Sequence, residues 1–145
     1  MSAQLNAYFE TSAIVKLILV EIGSSHAYEL WDESIRVVTS RLAYAEARAA
    51  LSSAHRTRRV SAAALQTAKL ELDARFHELA LLEATEGVLR RAGDLAERHA
   101  LRGFDAIHLS SATELDRRTT LLVTWDRDLA RAGREEGLAI AGASL

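Results

Sequence analysis

Cysteine is absent from this 145-residue chain, and so is proline. Without cysteine there is no disulfide framework, no thiolate metal site and no cysteine nucleophile. A reducing interior suits such a chain, and the cytoplasm is its expected location. Without proline, and with seven glycines that mostly punctuate, no stretch reads as a flexible linker. Long hydrophobic runs are missing too. The longest, Ala13 to Val20, is interrupted by Lys16 and falls short of the roughly 20 residues that cross a bilayer. The first residues have no basic segment followed by a cleavage site, so no signal peptide is expected. Nor is there a strong charge of one sign. The formal net charge of -2 excludes a polycationic nucleic-acid coat and a polybasic membrane binder. Nucleic acid as a substrate stays compatible with it, because an enzyme that must let go needs only a local basic rim.

What is present is ordinary for a globular protein: 49% hydrophobic and 26% charged residues. The length favours one domain, spanning 1–145, which would bury roughly 68–70% of its unfolded surface. Short apolar runs alternate with amphipathic segments. Strands are expected at Leu5–Phe9, Ile35–Thr39, Leu79–Leu82, Thr120–Thr124 and Leu138–Ala141. Helices are expected at Ser12–Glu21, Ser24–Ser34, from an N-cap at Ser40 to about Thr57, from Ser61 to Glu78, after a cap at Thr85, from near Phe104, and from about Asp126. Strands separated by helices imply right-handed crossovers and a parallel sheet covered on both faces, an α/β/α arrangement. Such sheets bind ligands beyond the carboxyl ends of their strands.

The acids are where that rule looks for them. Glu10 follows the first strand and Asp126 follows the clearest one, Thr-Leu-Leu-Val-Thr. Each is also well placed to be a helix N-cap or first-turn residue. Glu46 has Leu42, Ala49, Ala50 and Ser53 as helical neighbours, a small and apolar face on which a lone carboxylate is costly. Asp105 repeats the pattern beside Leu109 and Ala112, with His108 nearby. Each of these two is either paired with a buried arginine or part of a metal site. Four acids converging on one spot would repel each other and need a counter-charge. Oxygen-only ligands point to Mg²⁺ or Mn²⁺ rather than Zn²⁺, and a metal there suits phosphodiester hydrolysis.

Four segments carry a resemblance that spans the chain in order. Tyr8-Phe9-Glu10-Thr11-Ser12-Ala13-Ile14-Val15-Lys16-Leu17 resembles the opening of PIN-domain proteins of the VapC toxin type. Leu42-Ala43-Tyr44-Ala45-Glu46 is similar to the segment holding their second acid. Arg102-Gly103-Phe104-Asp105-Ala106-Ile107-His108-Leu109 is similar to the third, and Leu122-Val123-Thr124-Trp125-Asp126-Arg127-Asp128-Leu129 to the fourth. The resemblance implies a three-layer PIN-like fold with a five-stranded parallel sheet. It implies a Mg²⁺-dependent endoribonuclease, the toxin of a toxin–antitoxin pair, which forms a homodimer and is restrained by a VapB-type antitoxin. One position departs from it: the family has Asp where this chain has Glu10. The added methylene leaves three outcomes open, namely an adapted active site, a preference for Mn²⁺, or an impaired enzyme that acts mainly as a binding module.

The expected roles follow. Glu10, Asp105 and Asp126 ligate the metal, and Glu46 either ligates through water or orients the nucleophile. Thr11, Ser12 and Thr124 orient carboxylates or water, or simply cap helices. Asp128 either supports the site or is a first-turn helix acid. His108 packs or hydrogen-bonds near the site. Three arginine knots, Arg56 with Arg58 and Arg59, Arg90 with Arg91, and Arg117 with Arg118, are solvated faces or an RNA-tracking rim. The helical pair between Ser40 and Glu78 offers an alanine- and leucine-rich surface for an antitoxin, a second copy or the core. A receiver-like signalling domain also gathers acids at strand ends, but it needs a lysine after its fifth strand, and no lysine follows Lys69.

Overall fold

The computed structural model describes residues 5–143. Residues 1–4, most of the segment inspected for a signal peptide, and 144–145 at the end of the expected domain lie outside them. Five strands form one sheet: β1 (Asn6–Phe9), β2 (Arg36–Ser40), β3 (Ala80–Leu82), β4 (Thr120–Thr124) and β5 (Ala139–Gly142). The order is β3-β2-β1-β4-β5, and every neighbouring pair is parallel. Seven helices connect them: α1 (Thr11–Ile18), α2 (Ser24–Glu33), α3 (Ala43–Arg56), α4 (Ala62–Glu78), α5 (Glu86–His99), α6 (Gly103–Ala112) and α7 (Arg127–Glu135).

The layering follows from the two-residue period of the strands. Ala7 and Phe9 of β1 and Val123 of β4 face one way, into a core shared with Ile14 and Leu17 of α1, Leu51 of α3 and Leu72 of α4. Tyr8 and Leu122 face the other way, toward Leu95 of α5, Leu109 of α6 and Leu129 of α7. Both faces of the sheet are therefore covered, which is why the strands are continuous apolar runs rather than alternating ones. Close packing reaches the backbone at Gly133 of α7, where a β-carbon would come within 2.8 Å of Ile140 and 2.9 Å of Leu122.

Helix starts follow local chemistry. Ser61 caps α4 by accepting the Ala64 N–H at 3.0 Å, and Thr85 caps α5 through Val88 N–H at 3.2 Å. Ser40 does not cap α3. It is the last residue of β2, its hydroxyl accepts the Leu42 N–H, and the helix begins only at Ala43. Core packing buries Ala43, Ala47, Leu51, Ala54, Ala68 and Leu72 of the α3–α4 pair, while Ala62, Ala63, Ala64 and Leu70 stay exposed. Among the described residues no helix is long and apolar enough to cross a membrane.

Candidate active site

β1 and β4 lie side by side, yet the chain leaves them in opposite directions, to β2 on one flank and β5 on the other. This is the topological switch point, where a parallel sheet opens a crevice at its carboxyl edge. Glu10 and Asp126 are the residues directly after those two strands. α3 follows β2 closely and brings Glu46, while the first turn of α6 brings Asp105.

A cavity of about 350 Å³ opens here, lined by Glu46, Arg102, Gly103, Phe104, Asp105 and Asp126. Three of the four expected acids thus share one pocket. Glu10 is not in its lining. It is only 6% exposed, and its Oε2 accepts the Ser12 hydroxyl at 2.5 Å and the Thr124 hydroxyl at 2.7 Å. Those hydroxyls accept in turn, Ser12 from the Trp125 N–H and Thr124 from the Asp126 N–H. The loop after β4 is thereby tied to the loop after β1. Asp126 also caps α7, its Oδ1 accepting the Leu129 N–H at 2.9 Å.

The charge of the pocket is felt at Asp105. Burial pushes its carboxyl above the usual aspartate value, the charges of Asp126 and Glu10 push it further, and Arg102 and His108 only partly oppose them. Arg102 stands 3.9 Å from Asp105 and is otherwise open to solvent. Carboxylate oxygens in mutual repulsion are the donor chemistry that a hard divalent cation relieves. As oriented, however, no three acids or histidines among the described residues stand close enough together to hold a metal ion. One oxygen of Glu10 and one of Asp126 are already engaged in the bonds just described.

Glu46 belongs to a buried network instead of a buried arginine pair. Its Oε1 accepts the Thr11 hydroxyl at 2.8 Å and lies 2.6 Å from His108 Nε2. Burial pushes the Glu46 carboxyl upward, but the hydrogen bond and charge of His108 and the Thr11 bond outweigh it, and the net pKa is low. For His108 burial acts downward. The Glu46 hydrogen bond and the charges of Glu10, Glu46 and Asp105 outweigh it, and the net pKa is raised. A raised histidine stabilises the fold below its unfolded pKa, and that contribution is lost as pH rises through the folded value. A lowered carboxylate contributes above its unfolded pKa and loses it as pH falls through the folded one. The pair therefore supports the fold most between the ordinary glutamate and histidine values. Urea denaturation of wild type and His108→Gln is expected to show its largest gap near pH 5.5 and a smaller one near pH 9; an equal gap at both would contradict this coupling.

Glu46 does not lie on the buried stripe of α3. The buried stripe of α3 is Ala43, Ala47, Leu51 and Ala54, whereas Ala49 and Ser53 are exposed. Glu46 is half-buried because α6 lays His108 against it. Asp128 is exposed, 3.9 Å from Arg131, and acts as a first-turn helix acid rather than part of the pocket. The arginine knots are largely engaged elsewhere: Arg59 with Glu21, Arg90 with Glu86, Arg91 with Glu114 and Arg118 with Asp116. The cation at the pocket is Arg102. Together with half-exposed Phe104 it was overlooked as a site residue, although both adjoin Asp105 in sequence.

Comparisons with known proteins agree with this geometry. The PIN domain family model matches residues 7–135. The chain is 40% identical over 138 residues to Ribonuclease VapC45 of Mycobacterium tuberculosis (strain CDC 1551 / Oshkosh), covering 95% of this chain and 96% of that one. Among solved structures, PAE2754 from Pyrobaculum aerophilum superposes with a TM-score of 0.70 at 21% identity, covering 97% of this chain and 92% of the other. VapBC2 from Rickettsia felis, solved bound to a DNA fragment from its promoter, gives 0.65 at 17% identity, covering 97% and 100%. The chain belongs to the PIN domain family and, within it, to the VapC proteins.

Proposed function

We propose that this chain is a Mg²⁺-dependent endoribonuclease, the toxin of a VapBC-type pair. The observation that carries the reading is the pocket at the β1–β4 switch point, where Glu46, Asp105 and Asp126 share one lining with Arg102. Similarity to ribonucleases of the VapC group supports the class of reaction. Asp105 and Asp126 would hold the ion, with Glu10 adding its charge from behind Ser12 and Thr124; Mn²⁺ would serve in its place. When bound, the ion polarises the phosphodiester as a Lewis acid.

The remaining work falls to the chain itself. Glu46, held ionised, accepts a hydrogen bond or a proton from the attacking water. Arg102 meets a phosphate, and its exposure leaves it able to do so. Thr11 and Thr124 hold the carboxylates of Glu46 and Glu10 in place. The partners are a VapB-type antitoxin and a second copy of the chain. In purified protein, RNA cleavage is expected to require added Mg²⁺, to stop with EDTA and to stop with Asp126→Ala. Robust cleavage by the variant or in EDTA would sink the assignment.

A second reading rests on Glu10. Its carboxylate is buried and bonded to two hydroxyls rather than lining the cavity. That favours a weakened nuclease acting mainly as a module that binds antitoxin or RNA. Glu10→Asp would then raise kcat by about tenfold or more, of the order expected when a misplaced charged group is corrected. No gain would remove the motive for this reading.

A further inference from the structure

Thr11's hydroxyl and His108 Nε2 both meet Glu46 at Oε1, while Glu46 lines the cavity. A neutral imidazole donates from Nε2 in only one of its two tautomers. In the other, a lone pair would face the carboxylate, and at 2.6 Å two acceptors would oppose each other. The carboxylate therefore favours the Nε2–H tautomer, and what lies behind the ring must be compatible with it. Tyr8's hydroxyl is 2.8 Å from His108 Nδ1, and both residues are buried, at 0% and 1% exposure. Burial holds the Tyr8 hydroxyl pKa far above its ordinary value, so the phenol keeps its proton. A buried hydroxyl needs an acceptor, and Nδ1 is one. With Nδ1 accepting, the ring proton sits on Nε2. In the charged ring Nε2 is protonated in any case. Nε2 therefore donates to Glu46 in both charge states.

The strand geometry makes this possible. Tyr8 points to the α5–α7 side of the sheet and so meets α6, while Glu10 and Thr11 follow at the end of the same strand. One short stretch of chain thus supplies Tyr8 behind the histidine and Thr11 beside the glutamate.

We infer that Tyr8 and His108 are positioning residues: Tyr8 locks His108 in the tautomer that donates to Glu46, and the locked ring, with Thr11, aims the Glu46 carboxylate into the cavity. The kinetic consequence rests on the nuclease reading; the tautomer does not.

Two measurements test it. The first is long-range ¹H–¹⁵N NMR of the histidine rings in the intact, metal-free protein, at a pH where His108 is neutral. The expected wild-type ring carries its proton on Nε2, and Tyr8→Phe, which keeps the aromatic packing, raises the share protonated on Nδ1. A neutral ring protonated on Nδ1, or a tautomer balance that Tyr8→Phe leaves unmoved, overturns the lock. The second is steady-state RNA cleavage. His108→Leu is expected to lower kcat by about tenfold or more with KM little changed, the size of a lost hydrogen bond to a charged group. His108→Gln, which keeps an amide donor near the Nε2 position, is expected to recover most of that loss. Equal losses in the two variants, or a loss borne by KM, would overturn the positioning role. If the wild type shows no metal-dependent cleavage, the nuclease reading fails, and the ring-nitrogen result alone decides the lock.

Discussion

Asp105→Asn is expected to cripple metal-dependent RNA cleavage while making the protein more stable. Burial and the charges of Asp126 and Glu10 hold the Asp105 carboxyl above its usual pKa. An acid raised on folding destabilises the fold wherever it is ionised, so its cost is present at neutral pH and disappears as pH falls below the unfolded value. Asparagine keeps the shape and removes that repulsion. A thermal scan at pH 7 should show a midpoint higher by about 1–3 °C, and the advantage should vanish near pH 3. Activity moves the other way. The oxygen charge at the pocket wall is lost, and a drop of at least about 10²-fold in kcat is expected, as when one electrostatic contact to a transition state is removed. A variant that is both less stable and fully active would show that Asp105 is an ordinary structural acid. Gains in stability on removing active-site charge are a common trade-off.

Leu109→Ala is expected to have the largest effect on stability. Leu109 is fully buried where α6 packs on the sheet beside Tyr8 and Leu122. Truncating such a leucine costs about 2–5 kcal/mol, with the spread set by how far the cavity collapses. The denaturation midpoint in urea should fall accordingly with an unchanged slope. The same change should also reach the pocket, because α6 carries Asp105 and His108 in the turn that leads into this anchor. Activity measured well below the midpoint should therefore drop as well. A loss under about 1 kcal/mol would mean that the α6–sheet contact is plastic.

The strand and helix order was legible where apolar runs and helices are followed by a clear cap. Ser61 and Thr85 announce α4 and α5, and the Thr-rich run of β4 stands out against its flanks. The start of α3 is hard to read because Ser40 is a good cap type yet ends β2. Pairing with β3, through Ser40 opposite Leu82, settled the choice. Of the candidate site, the positions after strands were readable from topology alone, which is why Glu10 and Asp126 were found. Glu46 is placed by a contact between helices instead. Its burial comes from His108, sixty-two positions away, and a single-helix wheel holds no record of a partner on another helix. The Tyr8–His108 contact is hidden for the same reason. Tyr8 looks like one more apolar residue of a central strand until α6 is laid across it.

The order of the sheet also has a consequence in time. Glu10 is held by Thr124 across 114 positions of sequence, and parallel pairing at such separation forms slowly. A ribosome making this chain delivers β1 and Glu46 well before β4 exists. Until Thr120–Thr124 docks beside β1, Glu10 lacks its Thr124 partner and the cavity lacks Asp126. On the nuclease reading proposed above, the growing chain lacks part of its pocket until then. The pocket is completed in one late step, when the last fifth of the chain closes against the first strand.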